Sequence, residues 1–126
     1  MTGLSGILGT TLDRERYTAM GLGPQLVLET TRIGELDVVV ATGEIDLASA
    51  SRVEIALEPF VGQPVVLDLR RVEFMDSAGL KVLLHQRSRI QESGGDLRLV
   101  VGNGAVGRLL ELTGVTEAFS ISDSIE

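Results

Sequence analysis

The segment from Val72 to Leu80 holds the residues best suited to chemistry. It reads Val-Glu-Phe-Met-Asp-Ser-Ala-Gly-Leu, follows a predicted buried strand and opens a predicted helix. Ser77 is therefore expected at or beside a helix N-terminus, where free N–H groups and the helix dipole favour an anion such as phosphate. Gly79, without a Cβ, lets another backbone approach. An ordinary Asp-Ser helix cap is the simpler interpretation, and generic helix physics favours it.

A second candidate is the segment Gly43-Glu44-Ile45-Asp46, which ends the preceding predicted strand. In an α/β sheet the loops at the carboxyl ends of parallel strands converge on one rim. Asp46 and the Asp76-Ser77 turn are therefore predicted neighbours. Taken alone, Asp46 is better interpreted as the N-cap of the helix that follows it.

The segment Gly102-Asn103-Gly104-Ala105-Val106-Gly107 matches a dinucleotide-binding fingerprint and lies between a predicted strand and a predicted helix. Only about 19 residues follow it, too few for the rest of a nucleotide-binding fold. The favoured interpretation is a glycine-rich turn in which Gly107 packs close to the sheet. A small nucleotide-binding protein or enzyme remains a minor alternative.

Ser77, His85 and Asp46 have the residue types of a hydrolytic triad. His85 lies eight residues along the same predicted helix as Ser77, which places it about 12 Å away at 1.5 Å per residue. A general base must come within about 3 Å of its nucleophile. We therefore expect no hydrolysis by this set, and we interpret His85 as a partly exposed helix residue.

The elements that must position these residues alternate along the chain. The periodicity predicts a hairpin of two strands around Gly34, followed by alternating helices and strands, in the order β-β-α-β-α-β-α-β. This order indicates a single α/β domain, with a mixed, mainly parallel sheet of four to five strands packed with helices. Residues 1–24 are predicted to be a flexible N-terminal extension, and residues 25–126 to form the domain. The predicted strands are 25–32, 36–42, 65–69, 97–101 and 119–121, and the predicted helices lie near 47–60, 77–93 and 105–112.

The amino-acid composition argues against several classes of function. The 126 residues suit one domain, and 18 acidic against 11 basic residues give a net charge of −7. Such a balance argues against binding to nucleic acid or an anionic membrane surface. The chain has no Cys and one His, which excludes disulfides, zinc-thiolate sites and multi-histidine metal sites. With no apolar run of about 18 residues, it is expected to be cytoplasmic, without membrane contact, cofactor or metal.

Three segments together carry a family resemblance. They are Val65 to Leu69, Phe74 to Leu80, and Leu109 to Phe119, which reads Leu-Leu-Glu-Leu-Thr-Gly-Val-Thr-Glu-Ala-Phe. They resemble the STAS domain, and within it the bacterial anti-sigma-factor antagonists, over about residues 25–122. The turn from Gly43 to Asp46 is similar to that family's Gly-x-Leu/Ile-Asp turn.

The resemblance implies a regulatory binding protein rather than an enzyme. In such a protein the unphosphorylated antagonist binds a serine kinase that is also the anti-sigma factor, and sigma is released. Phosphorylation ends this binding, and a serine phosphatase reverses it. By motif position Ser77 is the implied phosphoacceptor. Asp46 and Asp76 correspond to acidic positions near it, and Ala78 and Gly79 complete its surroundings.

The resemblance leaves one alternative open within the same fold. The chain could be a constitutive STAS scaffold, or an accessory subunit of a stress-signalling, transport or lipid-trafficking complex, in which Ser77 merely caps a helix. Ala78 stands where some relatives have a second hydroxyl residue, so Ser77 is the sole acceptor in this turn. A monomer is expected from the single small domain, with a dimer as the alternative.

Overall fold

The computed structural model describes residues 26–125, so the predicted extension over residues 1–24 lies outside the described residues. The element order confirms the predicted alternation of strands and helices. Two short 3-10 helices, which the sequence did not indicate, follow the first and third α-helices. The strands are β1 (Leu26–Ile33), β2 (Leu36–Ile45), β3 (Pro64–Met75), β4 (Asp96–Val100) and β5 (Ser120–Ser122), and the helices are α1 (Ala50–Leu57), α2 (Ser77–Glu92) and α3 (Ala105–Thr113).

The five strands form one mixed sheet in the order β1-β2-β3-β4-β5. β1 pairs antiparallel with β2, and every other neighbouring pair is parallel. Gly34 turns the hairpin between β1 and β2 with a φ of 62°, a left-handed conformation that glycine adopts without strain. The mixed, mainly parallel sheet of the sequence prediction is confirmed.

The three helices pack on one face of the sheet and enclose the main core. Val39, Leu67 and Leu99 project from neighbouring strands into this core, where they meet apolar residues of all three helices. The opposite face carries a smaller buried cluster that includes Val38 and Val66. Because both faces of the central strands are buried, their sequences are continuous apolar runs rather than alternating ones.

Three predicted boundaries near the rim of the sheet are wrong, one of them the end of β2, which lies at Ile45 rather than at Thr42. Asp46 does not cap α1, which begins at Ala50 after Ser49, because the Asp46 carboxylate is engaged in a turn of its own. β3 continues to Met75, well past the predicted end at Leu69. This extension lacks the alternation typical of a strand, because the register of β3 against β2 shifts between Asp68 and Arg71 and again between Val72 and Phe74, so that exposed residues follow one another.

Candidate functional site

The carboxyl ends of β2 and β3 bring the two candidate segments together. Ile45 is paired in register with Met75, so Asp46 and Asp76 follow directly on adjacent strands. The backbone N–H of Asp76 donates to the carbonyl oxygen of Ile45 at 3.3 Å. The prediction that these two segments are neighbours is therefore confirmed.

Asp76, not Ser77, caps helix α2. One oxygen of its carboxylate, Oδ1, accepts hydrogen bonds from the backbone N–H groups of Ala78 at 2.9 Å and Gly79 at 3.1 Å. Ser77 is the first residue of the helix and is exposed, and its hydroxyl has no hydrogen-bond partner within residues 26–125. The sequence did not decide whether Asp76 or Ser77 caps this helix. Because Asp76 is the cap, the hydroxyl of Ser77 is left available.

Gly79 holds the start of α2 against the end of β2. A Cβ on Gly79 would lie 2.6 Å from the carbonyl oxygen of Ile45 and 2.7 Å from Cγ of Met75. Real side chains do not tolerate such distances, so only glycine fits without a shift of the backbone. The close backbone approach predicted for Gly79 is found here, and it fixes the position of Ser77 two residues earlier.

The loop between β2 and α1 is closed by Asp46 and Ser49. Asp46 Oδ1 accepts from the backbone N–H groups of Ala48 and Ser49, both at 3.1 Å. The Ser49 hydroxyl, on a residue only 5% exposed, lies 2.9 Å from the same oxygen and 3.0 Å from the carbonyl oxygen of Glu44. Sequence analysis missed Ser49, although a serine three residues after an aspartate is a signal for such a turn. The closed loop leaves Leu47 projecting outward, 82% exposed.

A groove of about 480 Å³ lies between α1 and α2, and Ser77 is one of its lining residues. Leu47 and Val82 contribute apolar surface to it, and Ala78 continues that surface next to the serine. Glu54, Lys81 and His85 are its charged or titratable residues. The prediction that Ala78 belongs to the surroundings of Ser77 is consistent with this lining.

Ion pairs join α2 to α1 and to the 3-10 helix that follows α1. The guanidinium of Arg89 lies 2.9 Å from a carboxylate oxygen of Glu58 and 3.9 Å from one of Glu54. The hydrogen bond and charge of Arg89 lower the pKa of the Glu58 carboxyl. Lys81, the one lysine of the chain, has no ion-pair partner among residues 26–125. The groove therefore holds a cation that no acidic side chain of the described part neutralises.

Of the remaining sequence candidates, the glycine-rich turn does not line this groove, whereas His85 does. The turn from Gly102 to Gly107 lies between β4 and α3, where a Cβ on Gly107 would lie 2.6 Å from the carbonyl oxygen of Gly102. Any larger residue at position 107 would clash with this carbonyl oxygen. The close approach predicted for Gly107 is therefore to the turn itself and not to the sheet. His85 is exposed and lies eight residues along α2 from Ser77.

Residues 26–125 contain no group of three or more His, Asp or Glu side chains arranged to hold a metal ion. Within the same range, no helix combines the length and apolar character needed to cross a bilayer.

Comparison with known proteins identifies a family for this chain. The STAS domain model matches residues 28–126. An anti-sigma F factor antagonist of Paenibacillus polymyxa is 30% identical over 91 residues, covering 69% of this chain and 78% of that protein. An anti-sigma-B factor antagonist of Listeria monocytogenes is 35% identical over 91 residues, covering 70% and 79% respectively. The crystal structure of an anti-sigma factor antagonist from Mycobacterium paratuberculosis superposes with a TM-score of 0.70 at 28% identity, covering 79% of this chain and 87% of that one.

Proposed function

Because the chain belongs to the STAS domain family, we propose that it is an anti-sigma-factor antagonist switched by phosphorylation of Ser77. In the unphosphorylated state it binds a serine kinase that also serves as the anti-sigma factor, and the sigma factor is released. The kinase then transfers a phosphoryl group to Ser77 and binding ends. A serine phosphatase removes the phosphate and restores the binding-competent state.

The observation that carries this proposal is that Asp76 caps α2 and the hydroxyl of Ser77 does not. Asp76 supplies both capping hydrogen bonds at the start of α2, so Ser77 is not needed for the cap. An exposed hydroxyl at the first position of a helix is accessible to a kinase, and its modification leaves the capping bonds in place. The constitutive-scaffold alternative assigned Ser77 the capping role, which Asp76 fills instead.

A phosphate on Ser77 would alter binding through local charge. Phosphoserine carries about −1.5 to −2 charges at neutral pH. The N-terminus of α2 tolerates that charge, whereas Asp46, Asp76 and an acidic surface on a partner would be repelled by it. Each 1.4 kcal/mol lost from the binding free energy is a tenfold loss of affinity. A change confined to this turn is therefore sufficient for a large switch without refolding of the domain.

The surface that we assign to the kinase surrounds Ser77 and includes the groove between α1 and α2. Leu47 is a large apolar side chain that lines this groove and is mostly exposed. Apolar anchors surrounded by polar groups are typical of protein-binding surfaces. Burial of Leu47 by a partner would bring that partner against the hydroxyl of Ser77, where an added phosphate would obstruct it.

The proposal makes this protein a regulatory binding partner rather than an enzyme, and it places the protein in the cytoplasm, where sigma factors act. It is tested with the serine kinase anti-sigma factor encoded in the same genome. Ser77→Ala should bind the kinase and resist phosphorylation, whereas Ser77→Asp should bind more weakly. Equal binding of both variants would refute the charge switch.

A further inference from the structure

Among the residues that line the groove with Ser77, Lys81 is the one lysine or arginine. Resting on the function proposed above, we propose that Lys81 is the phosphate-binding residue of the switched-off state. The Lys81 ammonium group pairs with the phosphate on Ser77 and holds it over the groove between α1 and α2.

The spacing of Ser77 and Lys81 supports this pairing. They are four residues apart on α2, and side chains at that spacing are neighbours, with Cβ atoms about 5–6 Å apart. An anion placed four residues before a cation is the more favourable order on a helix. Both residues also line the same groove, so their side chains share one surface.

Lys81 is available for the phosphate because no other group of the described chain uses it. It has no ion-pair partner within residues 26–125. Glu54, the acidic residue that lines the groove with it, lies 3.9 Å from the guanidinium of Arg89. His85 is the other titratable side chain in the groove, and it lies eight residues from Ser77, two turns along α2.

The pairing would give phosphorylation a steric effect in addition to its charge. A phosphate drawn along α2 toward Lys81 lies beside Leu47, on the surface assigned to the kinase. The same contact neutralises part of the added charge within the protein, so the modified turn is stabilised while the docking surface is covered. The phosphorylated protein then differs from the unphosphorylated one by a specific contact between the phosphate and Lys81, in addition to its greater negative charge.

The test uses the full chain with phosphoserine installed at position 77 during translation, so it requires no kinase. The second protonation step of the phosphate is followed by phosphorus NMR against pH. A nearby cation favours the more charged phosphate, so the midpoint in the wild type should lie about half a pH unit below that of Lys81→Met. Lys81→Arg should restore the wild-type midpoint. High salt should shrink the difference, because the pair is exposed.

The matched control is Arg32→Met, which removes one positive charge at the opposite end of the sheet. It should leave the midpoint at its wild-type value. Coincident midpoints for the wild type and Lys81→Met would overturn the proposal, and so would an equal shift in Arg32→Met. Absence of phosphate on Ser77 in cells would instead remove the proposed function and leave this titration unchanged, so the two failures are distinguishable.

Discussion

Gly79 lies against the carbonyl oxygen of Ile45 so closely that a Cβ would be 2.6 Å from it. This contact joins the start of α2 to the end of β2. It is reinforced by the hydrogen bond from the Asp76 N–H to the same carbonyl oxygen. The position of Ser77 relative to Asp46 therefore depends on these backbone contacts as well as on the capping carboxylate of Asp76.

Gly79→Ala should destabilise the domain by roughly 1–3 kcal/mol, because the new methyl group meets backbone that cannot yield. The sign is informative, since the same change in an open helix position stabilises by about 1 kcal/mol. Gly102→Ala is the matched control, because its Cβ would meet only a side-chain carbon 4.0 Å away. Urea unfolding of both variants measures the effect. A stable Gly79→Ala variant would contradict the close packing described here.

Asp76→Ala should lower the free energy of unfolding by about 1 kcal/mol, because two backbone N–H groups of α2 lose their acceptor. Asp76→Asn should retain most of the stability, since the amide oxygen can still accept these bonds. Thermal and urea unfolding of the two variants separate capping from charge. If alanine and asparagine destabilise the protein equally, the hydrogen bonds to Ala78 and Gly79 are not the source of the stability.

Leu47→Ser should weaken binding to the kinase at least tenfold and leave the stability of the free protein almost unchanged. Leu47 is 82% exposed, so the folded domain gains little from it, whereas a partner that buries it gains apolar contact. Leu112→Ser is the matched control, since Leu112 is 81% exposed near the end of α3 and does not line the groove. Calorimetric titration with the kinase distinguishes them. Equal losses from both variants would refute the assigned surface.

Asp68 should contribute to the dependence of stability on pH. Its buried carboxylate receives hydrogen bonds from the Arg70 guanidinium at 3.0 and 2.8 Å. Burial raises the pKa of Asp68, but the hydrogen bonds and charge of Arg70 outweigh it, and the net pKa is lowered. A carboxyl with a lower pKa in the folded state contributes stability above its unfolded pKa, and this is lost as the pH falls through the folded value.

The free energy of unfolding should therefore fall as the pH drops below about 4. Asp68→Asn should be less stable at pH 7 and should lose less stability on acidification than the wild type. Asp96→Asn, which removes an exposed carboxylate of β4, should keep the wild-type pH dependence. Urea midpoints at pH 7 and pH 3.5 provide the measurement. The same acid response in Asp68→Asn and the wild type would contradict the role given to the Arg70 pair.

The order of the elements and the meeting of the two loops were predictable, because both follow from hydrophobic periodicity and from the geometry of parallel strands. The residue at which α1 begins was not predictable from the sequence. Asp46 and Ser49 are both good capping residues, and local sequence does not reveal that the first closes a turn while the second precedes the helix. The choice between them depends on the packing of the loop.

The burial of Gln86 is a second feature that residue type alone does not predict. Its side chain is fully buried on α2, and its amide atoms have no hydrogen-bond partner among residues 26–125. A glutamine at this position is expected on a solvent-exposed face, since polar side chains are rarely buried without partners. Its spacing, three residues after Leu83 and four before Ile90, places it on the buried face of α2 all the same, so residue type and helical periodicity give opposite expectations and the periodicity is right.

The central claim is that Ser77 carries a reversible phosphate. The most direct measurement is the mass of the intact protein and of its peptides, taken from its native cells with and without phosphatase treatment. The account predicts a phosphatase-sensitive phosphate on the peptide that contains Ser77, in a proportion that changes with growth or stress conditions. Unmodified Ser77 under all of those conditions would contradict the account and favour a constitutive scaffold.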